Sequence, residues 1–187
     1  FALILRGVSF EFRNKVQSVA WKKVWDACIF VGSFLPALLF GVAFANIFKG
    51  IPFDQDGIYL GNLFTLLNPY GLLGGLLFLS LFLVHGSLWL AIRTDGDLAQ
   101  RAESLAGKLW PVLTGVAVVF LVATYIFTPL YDNYLATPVL FLVPAIAVAA
   151  IVGIKYFLMQ KAFFKAWLAS AATIVSCTFF GVIGLFP

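Results

Sequence analysis

Residues 68–93 read NPYGLLGGLLFLSLFLVHGSLWLAIR. From Pro69 to the residue before Arg93 there is no Asp, Glu, Lys or Arg, and a helix needs only ~20 mostly apolar residues to cross ~30 Å of hydrocarbon. The opening dipeptide says where such a helix begins. Asn68 suits the N-cap, where its side-chain oxygen accepts from an otherwise orphaned backbone N–H, and Pro69 suits the first helical position, where its missing N–H costs nothing. Gly71 and Gly75 then form a small-xxx-small pair on one helix face, which lets a neighbouring backbone approach closely in lipid. Close helix packing is the reading for both glycines, ahead of any ligand contact.

The rest of the chain repeats the pattern. Of 187 residues, 63% are hydrophobic and 11% charged, and the mean hydropathy is +1.03; soluble domains are about a quarter charged. Continuous apolar runs over 25–48, 69–92, 111–127, 138–157 and 163–186 predict five complete spans, with a helix stub at residues 1 to about 10. None alternates in and out over the ~10 residues of a barrel strand. The expected fold is all-α, a polytopic transmembrane helical bundle forming a single domain over residues 1–187. Thr137 and Pro138 repeat the Asn68–Pro69 device, Pro36 and Pro111 suit kinks, and the face shared by Leu98, Ala102, Leu105 and Leu109 predicts an interfacial helix ahead of the span at 111. The first residues, FALILRGVSF, have neither a basic n-region nor a small-residue cleavage site, so they do not read as a signal peptide; the expectation is a chain that begins inside a membrane helix.

Charge supplies orientation. Ten of the twelve Lys and Arg residues fall near three alternate loops, at Arg13, Lys15, Lys22, Lys23, Arg93, Arg101, Lys108, Lys155, Lys161 and Lys165. The intervening loops carry Asp54, Asp56 and Asp132 against Lys49, so the basic loops are expected in the cytoplasm. This alternation leaves no contiguous basic face for nucleic acid. Cys28 and Cys177 lie in apolar segments and suggest no disulfide framework.

Three ionisable residues stand out. Arg6 lies in the stub and Asp26 opens the following span, so the two are candidates for an intramembrane ion pair or a proton path, against the alternative that each snorkels to the interface. His85, in the 69–92 span, is a packed histidine or a lone proton relay. With one histidine and one methionine, His85 and Met159, the chain lacks the axial ligands of a multi-haem cytochrome. No zinc-spaced cluster, phosphate loop or catalytic triad is present.

The blocks FALILRGVSFEFR, WDACIFVGSFLPALLFGVAFANIFKGIPF, GNLFTLLNPYGLLGGLLF and HGSLWLAIRT, in that order, resemble subunit II of the cytochrome bd quinol oxidases over nearly the whole chain. The resemblance implies a chain lacking the family's N-terminal helices. It also implies a terminal oxidase of the bacterial inner membrane that oxidises quinol and reduces dioxygen to water. In that family haem b and haem d belong to subunit I, so the implied subunit II binds no cofactor or metal, has no catalytic residue, and pairs with subunit I to support its assembly. Small accessory membrane subunits, quinone and lipid are the further implied partners, and Arg6 and Asp26 match charged positions of the family motif. The rival class is a secondary transporter or channel subunit, which should carry broken helices and polar residues near mid-bilayer.

Overall fold

The computed structural model describes residues 1–185. Its helices are α1 (Ala2–Phe12), α2 (Val19–Lys49), α3 (Leu63–Leu66), α4 (Pro69–Arg93), α5 (Gly96–Phe127), α6 (Asp132–Ala136), α7 (Leu142–Met159) and α8 (Phe163–Leu185), with a 3-10 turn at Pro138–Phe141 before α7. Among the described residues the only strand-like pairing is one bridge between Phe53 and Tyr59. The expected all-α bundle is what forms, with five helices long and apolar enough to cross a membrane.

α4 is the axis of the bundle. It packs against α2, α5 and α8, while α7 packs on α8 and α5, and α1 packs on α2. In its most apolar window 44% of α4 is buried, against 17% of α2, so α4 has protein around it where α2 keeps a broad outward face. Leu77, Leu81, Val84 and Leu88 of α4 meet Leu113 and Phe120 of α5 and Phe180 of α8 in one core. Phe30, Phe40, Val118, Val152 and Phe179 remain exposed, as suits side chains that face lipid tails or a second subunit.

Several boundaries differ from the sequence reading, each for a local reason. α2 begins at Val19, about two turns before the apolar run, because Ser18 caps it and Trp21 donates its indole N–H to the Phe12 carbonyl at 2.9 Å. The expected interfacial helix and the span after it are one continuous helix, α5, with Pro111 inside it. At ~1.5 Å per residue α5 is roughly 48 Å long, well beyond the ~30 Å of hydrocarbon, so its first turns extend past the apolar layer. Thr137 does not repeat the Asn68 cap: its side chain makes no capping bond, and the chain after it winds first as a 3-10 turn. The last expected span is α8, of which Phe186 lies outside the described residues.

Candidate functional site

Two polar nodes hold α4, one at each end. At the first turn, Asn68 Oδ1 accepts the Gly71 N–H at 2.9 Å, and Pro69 occupies the first helical position. The Asn68 amide nitrogen donates to Thr65 O and, at 2.8 Å, to Asn46 Oδ1 on α2. Asn46 is 5% exposed; its own amide donates to Val42 O and to Leu66 O, both at 2.7 Å. Leu66 ends α3, so its carbonyl is one of the acceptors a helix terminus leaves without an intrahelical partner. Asn46 thereby closes three segments, α2, α3 and α4, with both of its polar atoms satisfied, as burial of an amide requires.

The glycines make this approach feasible. A Cβ at Gly71 would lie 2.6 Å from Leu66 O and 2.8 Å from Asn46 Nδ2, and one at Gly75 would lie 2.9 Å from Leu38 O. Both therefore face α2. The tightest glycine contact between α2 and α4, however, is between Gly41 and Gly74, where a Cβ on either glycine would strike the backbone of the other. Sequence reasoning missed Gly41, Gly74 and Asn46. The available signal was on α2, where Gly41 and Ala45 form the reciprocal small-xxx-small pair and Asn46 follows directly. Tyr70 extends the node to α5, with its hydroxyl 2.9 Å from Thr124 Oγ1 and its ring stacked on Phe120 at 5.4 Å.

At the other end, His85, Trp89 and Arg93 follow at four-residue spacing on one face of α4. His85 Nδ1 lies 2.8 Å from Ser170 Oγ on α8, and Ser170 Oγ donates to Trp167 O at 2.7 Å. A serine hydroxyl has one proton; with that proton on the Trp167 carbonyl, Ser170 accepts, which places the histidine proton on Nδ1. The His85 ring packs 5.1 Å from Trp167, Trp89 packs 5.3 Å from the same indole, and the Arg93 guanidinium stands 4.6 Å over Trp89. His85 is thus a packed, hydrogen-bonded residue of the α4–α8 contact.

Arg6 and Asp26 do not pair. Asp26 is held by Arg13, with Nε to Oδ1 at 2.5 Å and Nη2 to Oδ2 at 3.1 Å, in a bidentate bridge whose side chains are 36% and 50% exposed. The hydrogen bond and the charge of Asp26 raise the pKa of Arg13, which stays cationic. Register sets this partnership. Arg6 stands level with Gly32 on α2, so in this antiparallel hairpin Asp26 falls opposite the end of α1. Because α2 starts at Val19, Asp26 sits about two turns inside the helix instead of opening it. The Arg6 guanidinium lies 5.8 Å from the Phe10 ring centre.

The family model for cytochrome bd terminal oxidase subunit II matches residues 1–187. The chain belongs to that family. It is 32% identical over 218 residues to cytochrome bd-I ubiquinol oxidase subunit 2 of Escherichia coli (strain K12), covering 100% of this chain and 57% of that protein. It is likewise 32% identical over 223 residues to the probable cytochrome oxidase subunit 2 of Haemophilus influenzae, again 57% of its length. Cytochrome bd ubiquinol oxidase subunit 2 of Bacillus subtilis is 40% identical over 119 residues, or 64% of this chain and 35% of that protein. The chain thus spans little more than half the length of the first two relatives, as a multi-pass protein of the bacterial inner membrane.

In this subunit II family member His85 is bonded through Nδ1 to Ser170 on α8, and Met159 ends α7 at 74% exposure. Among the described residues no three His, Cys, Asp or Glu side chains gather as a metal site. The space between α2, α4, α5, α7 and α8 is a cavity of about 50 Å³ lined by Gly41, Leu77, Phe120, Ile151 and other mainly apolar groups.

Proposed function

We propose that this chain serves as the haem-free subunit II of a cytochrome bd-type terminal oxidase, which oxidises quinol and reduces dioxygen to water in bacterial aerobic respiration. The observation that carries the proposal is the family match over residues 1–187. The names of the relatives, ubiquinol oxidase subunit 2, support the same reading. In this role the chain carries no catalytic residue. It pairs with subunit I, which holds haem b and haem d and oxidises quinol, and it stabilises that partner through the apolar faces that α2, α5, α7 and α8 leave exposed. Small accessory membrane subunits join the same assembly. The basic loops, at Arg13 to Lys23, Arg93 to Lys108 and Lys155 to Lys165, face the cytoplasm.

A transporter would need polar groups gathered near mid-bilayer, and the central cavity is lined mainly by apolar residues. The test is to purify the protein from membranes through a tag on this chain. Co-purification of subunit I with the red absorption of haem d is the expected result. A colourless preparation free of subunit I, from cells grown with limited oxygen, would contradict the proposal.

A further inference from the structure

Where α4 and α5 meet, a groove of about 380 Å³ opens on the surface, lined by Leu90 of α4 and by Leu98, Arg101, Ser104, Leu105 and Lys108 of α5. On α5, Leu98, Arg101, Leu105 and Lys108 follow one another at i, i+3, i+7 and i+10, so they form a single stripe along the helix. Ala102 and Ala106 behind that stripe are buried. The stripe is amphipathic along its own length. Leu90, Leu98 and Leu105 are each about half exposed and give the groove an apolar floor, while the two charged side chains that line it are both cations.

Its level in the bundle decides what such a surface meets. α4 ends at Arg93, one turn beyond Leu90, and α5 passes its indole Trp110 just after Lys108. Trp110 donates to Ile151 O at 2.7 Å, and Lys155 stands over its ring at 5.7 Å. Indoles and cations at one level mark the boundary between hydrocarbon and headgroups. Asp97 lies 3.9 Å from Arg101 in an exposed contact; Glu103 lies on the same helix but does not line the groove.

We infer that this groove binds an anionic glycerophospholipid, with the phosphate between Arg101 and Lys108 and an acyl chain along Leu90 and Leu105. An apolar floor with a cationic rim at the headgroup boundary has the shape and charge of that ligand. Basic pockets between membrane helices recognise acidic headgroups in this way. The site needs only a membrane interface, so it stands whichever loops face the cytoplasm and whatever the oxidase assembly turns out to do.

Native mass spectrometry of the purified complex, titrated with phosphatidylglycerol or with phosphatidylcholine, tests the inference. Phosphatidylglycerol should bind more tightly, and R101Q/K108Q should weaken it roughly 30-fold while leaving phosphatidylcholine unchanged. Asp97→Asn, which frees Arg101, should tighten phosphatidylglycerol, and Lys161→Gln on another loop should change nothing. A bimane label at Leu105→Cys should be quenched by phosphatidylglycerol with brominated chains. Equal binding of the two lipids, unaltered binding in R101Q/K108Q and Asp97→Asn, or a Leu105→Cys that cross-links to another subunit instead of being quenched would overturn it.

Discussion

At its first turn α4 is fixed by side chains bonded to backbone, through Asn68 and Asn46, whereas toward its last turns it is fixed by rings packed on rings, through His85, Trp89 and Trp167. The difference follows from how near the neighbouring backbones come. At Gly41 and Gly74 the helices touch main chain to main chain, so every polar atom trapped there needs a partner, and all four polar side-chain atoms of Asn46 and Asn68 have one. At the other end α4 and α8 are held apart by indole and imidazole rings. There a buried polar atom, Trp167 Nε1, has no hydrogen-bond partner among the described residues. The glycine end is therefore specified atom by atom, and the aromatic end by area and shape. Substitutions should hurt in that order.

The largest loss is expected for Gly74→Leu, which forces a branched side chain against Ala45 and the Gly41 carbonyl. Overpacking costs roughly 1 to 3 kcal/mol, and a clash with main chain belongs at the upper end, so little intact complex should be recovered. The double variant G71L/G75L should also lower recovery, because both positions face α2. Normal yields from both would mean that this face looks at lipid. Asn46→Leu comes next. It strands the Leu66 carbonyl and leaves the Asn68 amide with Thr65 O as its acceptor, at about 1 to 3 kcal/mol for a buried group left unpaired, read as a lower midpoint in detergent-induced unfolding. Asn68→Asp sharpens the comparison, since aspartate keeps the cap but not the donor to Asn46; it should fall between wild type and Asn46→Leu.

At the aromatic end, Ser170→Ala removes one interhelical hydrogen bond. Such bonds in membrane proteins average about 0.6 kcal/mol, so the midpoint should move less than in Asn46→Leu. A larger shift for Ser170→Ala than for Asn46→Leu would reverse the ranking. At the edge of the bundle, Arg13→Gln and Asp26→Asn should couple in a double-variant cycle, and Arg6→Leu with Asp26→Asn should be additive. The Arg13–Asp26 coupling should also shrink as salt rises, because the bridge is exposed.

What could be read from the sequence was local chemistry. Asn68 and Pro69 declare a helix start because cap and proline act within one turn, and the spans follow from continuous apolar runs. Thr137 and Pro138 carry similar letters and form a 3-10 turn, since Thr137 has ψ 84° where Asn68 has 163°. The short helix α6 before it is tied by Tyr134, whose hydroxyl donates to Phe180 O at 2.7 Å, a contact that no local pattern encodes. Burial raises the Tyr134 pKa to about 12, so that hydroxyl keeps its proton at any physiological pH. The partner of Asp26 was hidden for a related reason. Sequence gave both charges, but the register of α1 on α2 depends on where α2 starts, and Ser18 and Trp21 set that start outside the apolar run. Gly71 and Gly75 were legible as a packing face, while the nearest contact needed both helices at once.

In the proposed function this chain lends subunit I its packing and no ligand to its haems. The most direct measurement is the reduced-minus-oxidised absorption spectrum of the purified complex carrying His85→Ala. Every haem b and haem d band should persist at wild-type proportions, with at most a small drop in yield from the lost α4–α8 contact. Disappearance of one haem band from a complex that still assembles would contradict the account.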